Sequence, residues 1–335
     1  MLNLRKKLLV SLFTLMLALV AVSTTTYAWF TMGADVSVSN IDLTVKGVEG
    51  LKVRVISVNG VDTRGVNGLG SHSTDIVFAD NYLSGVALEP MTLKEAHPTQ
   101  DDEEGADYNY TTLYTTTYSQ KALSYNEVSP YGTKTEVKGN YLEIEFEFLG
   151  ETESTTNLSV YISSISFVIP EDFSFSSDVQ FNNGTSNVAV GDSLNTVRLV
   201  NALRFAHSAR ANNTGENAQE DSYGGLADYK LIKTSKTTVS KTYAVDLGTW
   251  GGASVKYFNA VNNCKIEAPQ EYKEYYGFDE AVVTLKPSAS YTGQVGRATV
   301  RIWLEGWDSD CFNAIIKDKV QIAISFSTTQ PSADE

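Results

Sequence analysis

From Tyr141 to Phe148 the chain alternates without a break, with Leu142, Ile144, Phe146 and Phe148 on one side and Glu143, Glu145 and Glu147 on the other. A period of two belongs to an extended strand, whose successive side chains point to opposite faces. The pattern predicts one face in a core and a row of carboxylates in water. The same period recurs at Leu51, Val53 and Val55, at Leu158, Val160 and Ile162, at Ala298, Val300, Ile302 and Leu304, and at Val320, Ile322, Ile324 and Phe326. Ser163-Ser164 breaks the register before Ile165, Phe167 and Ile169, predicting a bulge or a bend where a strand crosses between sheets. Val197, Leu199, Leu203 and Phe205 fit a strand better than a helix, and Asn313 to Lys317 reads as a helical turn between the last two strands.

Between the strands lie polar, turn-rich stretches: Asn59 to Ser73 with four glycines, His97 to Tyr110 with Asp101, Asp102, Glu103 and Glu104, and Ala209 to Gly225. They read as long surface loops. Short strands, long loops and little helix predict an all-β fold, a two-sheet β-sandwich of jelly-roll type. An immunoglobulin-type sandwich is the second reading, but the cysteine spacing does not suit its intersheet bridge. No linker or repeat divides the chain, so residues 29–335 are expected to form a single domain with long insertions.

The first 28 residues carry a separate message. Arg5, Lys6 and Lys7 precede an uncharged run from Leu8 to Val22, and a polar stretch then ends at Ala28. That order predicts a signal peptide cleaved between Ala28 and Trp29, with Ala21-Val22-Ser23 as a second cleavage candidate. A retained anchor flanked by Tyr27, Trp29 and Phe30 is the other reading, although the apolar run falls short of the roughly 20 residues a spanning helix needs. Removal of three cations leaves 23 basic residues against 40 acidic ones, so the net charge moves from −14 to −17. Such a surface repels nucleic acid and anionic membranes. A hydrophobic content of 42% excludes a disordered tail. Cys264 and Cys311, the two cysteines, fit one disulfide in an oxidising compartment or two buried thiols.

Motifs for chemistry are sparse. His72, His97 and His207 all read as lying in or beside loops, and no HExxH, GxSxG or paired CxxC occurs. His207-Ser208 has no surrounding catalytic motif. The glutamate row suggests a glycosidase only if two carboxyls face each other across a cleft, and a solvated strand face explains it more simply. Asp308 and Asp310 have the D-x-D spacing of a calcium loop, and aspartate also caps turns. Tyr108, Tyr110, Tyr114 and Tyr118, interleaved with threonines, suit either a sugar- or protein-binding face or a half-exposed sheet. No catalytic, cofactor-binding or metal-ligating residue is assigned, and no cofactor is expected.

The junction Tyr27-Ala28-Trp29-Phe30-Thr31, followed by Val36-Ser37-Val38 and Ile41-Asp42-Leu43-Thr44-Val45, resembles the layout of the camelysin/TasA family, Gram-positive exported biofilm-matrix proteins with a specialised signal peptide. The stretch from Val300 to Cys311 is similar to an ending found in uncharacterised relatives of that group. The resemblance implies a jelly-roll fold, processing by a dedicated signal peptidase, and assembly into extracellular fibres. In such fibres the freed N-terminal segment, here Trp29 towards Val45, completes a sheet of the next subunit. This chain departs from the family in its length, its two cysteines and its large loops. No protease constellation is visible, so the protease activity associated with camelysin is not carried over. The expectation is a non-enzymatic, exported structural subunit of the cell surface or biofilm matrix, with itself as main partner. A monomeric extracellular module that binds glycan or protein is the alternative.

Overall fold

The computed structural model describes residues 43–47, 50–79, 82–93, 112–119, 122–151, 156–168, 174–183, 186–194, 198–212, 221–232, 256, 259–260, 278–306, 308, 311, 315 and 320–331. The cleavage site at Ala28 and Trp29, Cys264, His97 and Asp310 lie outside them, as do Tyr108 and Tyr110.

The described strands are β1 (Leu43–Lys46), β2 (Leu51–Val58), β3 (Val61–Asp62), β4 (Asp75–Val77), β5 (Pro90–Thr92), β6 (Leu113–Ser119), β7 (Ala122–Val128), β8 (Leu142–Gly150) and β9 (Ser159–Val168). Two small hairpins follow: β10 (Phe175–Ser176) pairs with β13 (Ser193–Leu194), and β11 (Phe181–Asn182) with β12 (Asn187–Val188). The rest are β14 (Leu203–Asn212), β15 (Tyr223–Leu226), β16 (Lys230–Leu231), β17 (Ala281–Thr284), β18 (Lys286–Pro287), β19 (Gln294–Glu305) and β20 (Gln321–Ser327). The fold is all-β.

Two sheets share one core. The smaller runs β17-β9-β20-β1-β4, and the larger is built around β2-β8-β19, with β14 on the free side of β19 and β5-β6-β7 at its far end. Alternation explains the contact. Phe146 and Phe148 of β8 meet Phe326 of β20 edge-on, with ring centroids 5.6 and 4.8 Å apart, and Phe167 of β9 meets Phe205 of β14 at 5.9 Å. All five rings are buried. Burying side chains of this size stabilises by about 1.5–3 kcal/mol each, and edge-on ring geometry adds to it.

Local chemistry fixes the turns and corners. Asn59-Gly60 joins β2 to β3 with both residues at positive φ, 47° and 79°, as a two-residue hairpin turn requires. The chain passes from the smaller sheet to the larger at Leu285, between β17 and β18. Leu285 is fully buried there against Gly150 and Gly296, and a Cβ on Gly296 would come within 2.9 Å of Leu285 Cδ2. Both glycines are missing side chains that the corner needs missing.

Ser163 is the bulge expected from sequence: Ser325 pairs with Ser164 and Phe326 with Ile162, so β9 carries one extra residue and stays within one sheet. Two expectations are corrected. Leu199–Ala202 forms a helical turn, α1, with the strand beginning only at Leu203. The stretch 209–225 is not all loop, because β14 continues to Asn212 and β15 starts at Tyr223. Of 313–317, only Ile315 is described, and it has 3₁₀ geometry.

Candidate functional site

The outer face of the larger sheet concentrates more chemistry than any other described surface. Strand register builds it. Arg54 of β2, Glu147 of β8 and Arg297 of β19 stand directly opposite one another on adjacent strands, and Glu143 stands opposite Arg301. Arg54 Nη2 lies 2.6 Å from Glu147 Oε1, and Arg297 Nε donates to Glu147 Oε2 at 2.7 Å. Arg301 donates to Glu143 Oε2 through Nε and Nη2, at 3.1 and 2.8 Å. Glu145 faces Thr299, so its partner comes from β14: Arg210 donates through Nε at 2.6 Å and Nη2 at 3.2 Å.

This overturns the reading of the three glutamates as a solvated row. Glu147 is 2% exposed and Arg301 only 3%. Aromatic rings roof the ion pairs. Tyr229 lies 3.9 Å from the Arg301 guanidinium and Tyr223 lies 4.1 Å from that of Arg297. Arg54 sits 5.8 Å from the Tyr291 ring, and His72 packs edge-on against that ring with its Nε2 3.4 Å from Glu147. Guanidinium planes stack well on such faces and are more weakly hydrated than ammonium groups, which suits them to burial. Asp221 ties the roof together, accepting from Ser288 Oγ and from the Ala289 backbone N–H, both at 2.8 Å.

The electrostatics follow from that enclosure. Burial pushes the Glu147 carboxyl upward, but His72, Arg297 and Arg54 more than offset it and hold it down at about 2. Burial pushes the Tyr229 phenol far above its ordinary range, so it stays protonated and donates to Glu143 Oε2 at 3.2 Å. A hydrolytic acid needs a carboxyl kept protonated near neutral pH. Glu147 is held in the opposite state, and its oxygens are occupied by cations.

The same face carries a second, apolar patch further along. Trp303, Tyr141, Tyr229, Met91, Leu113 and Leu231 cluster where β5-β6-β7 and the segments around Tyr141 and Tyr229 cover β19 and β14. The central strand β19 is therefore buried on both faces, with Trp303 and Glu305 as inaccessible as Val300 and Ile302.

The remaining candidates separate. His207 is inside β14, not in a loop, and is 3% exposed. Alternation sends Ser208 to the opposite face, where its hydroxyl donates to the Ala227 carbonyl at 2.6 Å, so the two do not form a dyad. Burial beside Lys230 pushes the His207 imidazole down to about 4, with Glu280 opposing. Asp308 is 1% exposed and its Oδ2 takes a hydrogen bond from Arg204, itself fully buried, so this carboxylate is committed to a guanidinium rather than to calcium. Cys311 is buried, and the bridge expected with Cys264 falls outside the described residues. Among the described residues no group of three or more histidines, cysteines and acids is placed to hold a metal, and no helix is long and apolar enough to cross a membrane.

Sequence reasoning missed the ion-pair lattice, though a signal existed. Glu143 and Glu147 are spaced by four, as are Arg297 and Arg301, and antiparallel pairing sets one spacing against the other. No family model matches this chain, and neither does any curated protein or solved structure.

Proposed function

We propose that the chain is an exported, non-enzymatic structural subunit of a cell surface or extracellular matrix, with a jelly-roll arrangement of its two sheets. The observation that carries this reading is where the N-terminal segment joins the fold. β1 lies inside the smaller sheet, parallel to β20 and antiparallel to β4, with Leu43 opposite Ile322. β1 therefore begins beside the start of β20, at the end of a sheet, a position from which an extended segment leading into it could add to a neighbouring subunit as a strand. The lattice of ion pairs supports a scaffold role as well, since it places charge where it stiffens the sheet and leaves no carboxylate of the row open to a substrate.

The position of β1 limits the donor. Leu43–Lys46 is held by its own chain, so the segment offered to a neighbour under this reading is 29–42, and removing β1 as well would strip a central strand. The test is negative-stain microscopy of chains starting at Trp29 and at Leu43, at rising concentration. Filaments from the first and folded, dispersed particles from the second are expected. Filaments from both would remove the donor-strand mechanism.

A monomeric binding module has one specific support. Tyr161 stands on the open face of the smaller sheet between Ala281 and Ser327, an aromatic flanked by small residues. Glycan-array binding by a monodisperse chain, lost in Tyr161→Ala, would favour it.

A further inference from the structure

Sheet edges are the places where one chain adds to another, and folded proteins blunt them by shortness, by Lys or Pro, or by bulges. Nearly every described edge here is blunted in one of these ways. β3 is two residues long and is met by Lys134, and β4 is three residues long with an exposed Asp75. β17 pairs with a register break between Ala281 and Val283, and β15 with one between Arg210 and Asn212. β16 and β18 are two residues each and contain Lys230 and Lys286-Pro287.

β7 is the exception. It closes the larger sheet, runs seven residues, and keeps unbroken register with β6 from Leu113↔Val128 to Ser119↔Ala122. Its sequence, ALSYNEV, contains no Pro and no Lys. Among the described residues its far edge has no strand partner. The far side of a regular strand carries outward N–H and C=O groups that call for partners, and no described strand supplies them.

We propose that β7 pairs antiparallel with β7 of a second copy, about a two-fold axis through Tyr125, making one continuous sheet across two molecules. An isologous pairing is self-limiting and needs only this one patch. The axis sets Ala122 opposite Val128, Leu123 opposite Glu127, Ser124 opposite Asn126, and Tyr125 opposite its own copy. The charges permit it. Glu127, exposed on the strand, is the one charged residue of β7 and meets Leu123 rather than its own copy. The two copies of Glu127 are separated by four strand positions, about 14 Å, beyond the roughly 8 Å screening length at physiological salt. A molecule with net charge −14 resists approach to itself in general, so a contact this poor in charge is where two copies meet at least cost, and added salt favours it. This contact is separate from the N-terminal donor and does not depend on it.

Sedimentation of the full chain, with the N-terminal processing its producing cell performs, tests the register. A dimer that strengthens with salt is expected. Leu123→Glu sets like charges opposite each other twice per dimer and should weaken it about tenfold. Adding Glu127→Lys should restore it, because the same two positions then attract. A chain that is monomeric at every concentration overturns the proposal, as does a dimer indifferent to Leu123→Glu. Hydrogen exchange on the unaltered chain gives a readout free of folding artefacts: amides of 122–128 should slow as concentration rises, and concentration-independent exchange overturns the proposal equally. Loss of filaments on removing residues ahead of Leu43, with this dimer intact, separates the two contacts.

Discussion

The two sheets treat their outer faces in opposite ways. In β9 and β20 of the smaller sheet, buried residues alternate with Ser, Ala, Gln and Tyr that remain partly open to solvent. In β8 and β19 of the larger sheet the alternate positions carry Glu and Arg, yet β19 is closed on both faces. The more highly charged face is the more deeply buried one. Charge on a strand thus signals water only while it is unpaired; set opposite its counter-charge on the next strand and roofed by tyrosine, it becomes a second interior.

The largest effect should come from breaking that second interior. Glu147→Ala strands Arg54 and Arg297, and loss of one partner of a buried pair costs about 3–5 kcal/mol. Urea denaturation measures it, and a loss below about 1 kcal/mol would mean the lattice is surface decoration. The inner face gives the counterpart. Phe326→Ala removes a ring packed on Phe146 and Phe148 and should cost about 3–5 kcal/mol through lost transfer and cavity terms. If the two faces are alike in energetic weight, the two variants fall together.

Acid sharpens the comparison, because the two faces fail in different windows. His207 on the inner face has a folded value near 4 against an ordinary 6.5. Its neutral form is the one the fold accepts, so stability falls as pH drops from 6.5 towards 4, by about 3 kcal/mol at full effect. Glu147 on the outer face has a folded value near 2 against 4.5. Its stabilisation is present above 4.5 and is lost as pH falls towards 2, also about 3 kcal/mol. Denaturation midpoints of His207→Gln against pH should lose the upper slope and keep the lower one.

The smallest effect belongs to the open face. Ser166→Lys, on the outer side of β9, should stay within about 0.5 kcal/mol, whereas Thr299→Lys, 2% exposed on the outer side of β19, should be destabilising well beyond that. Equal effects would erase the distinction between the sheets.

Much of the inner face was legible in the sequence. Alternation in β2, β8, β9, β19 and β20 is a local property, and so is the extra residue at Ser163. The Asn59-Gly60 turn was legible too, and was passed over within a glycine-rich stretch. The lattice was harder because it depends on which strands adjoin: Arg297 and Glu147 are 150 residues apart in sequence, and only their matched spacings hint at the pairing. His207 was misplaced because a histidine within an apolar run and one beside a polar stretch look alike until β14 is seen to continue through it. Leu199–Ala202 turned helical where hydrophobic spacing suited both forms, a choice made by the packing of Leu199, Val200 and Ala202 into the core.

One feature of the smaller sheet has a mechanical meaning. β1 and β20 lie side by side and run in the same direction over four paired positions. The chain enters at the start of the first and leaves beyond the end of the second. A pull on the two ends therefore drags these strands past each other along their length. The rungs between them take the strain together instead of parting one at a time, so the two ends of the fold are joined in shear.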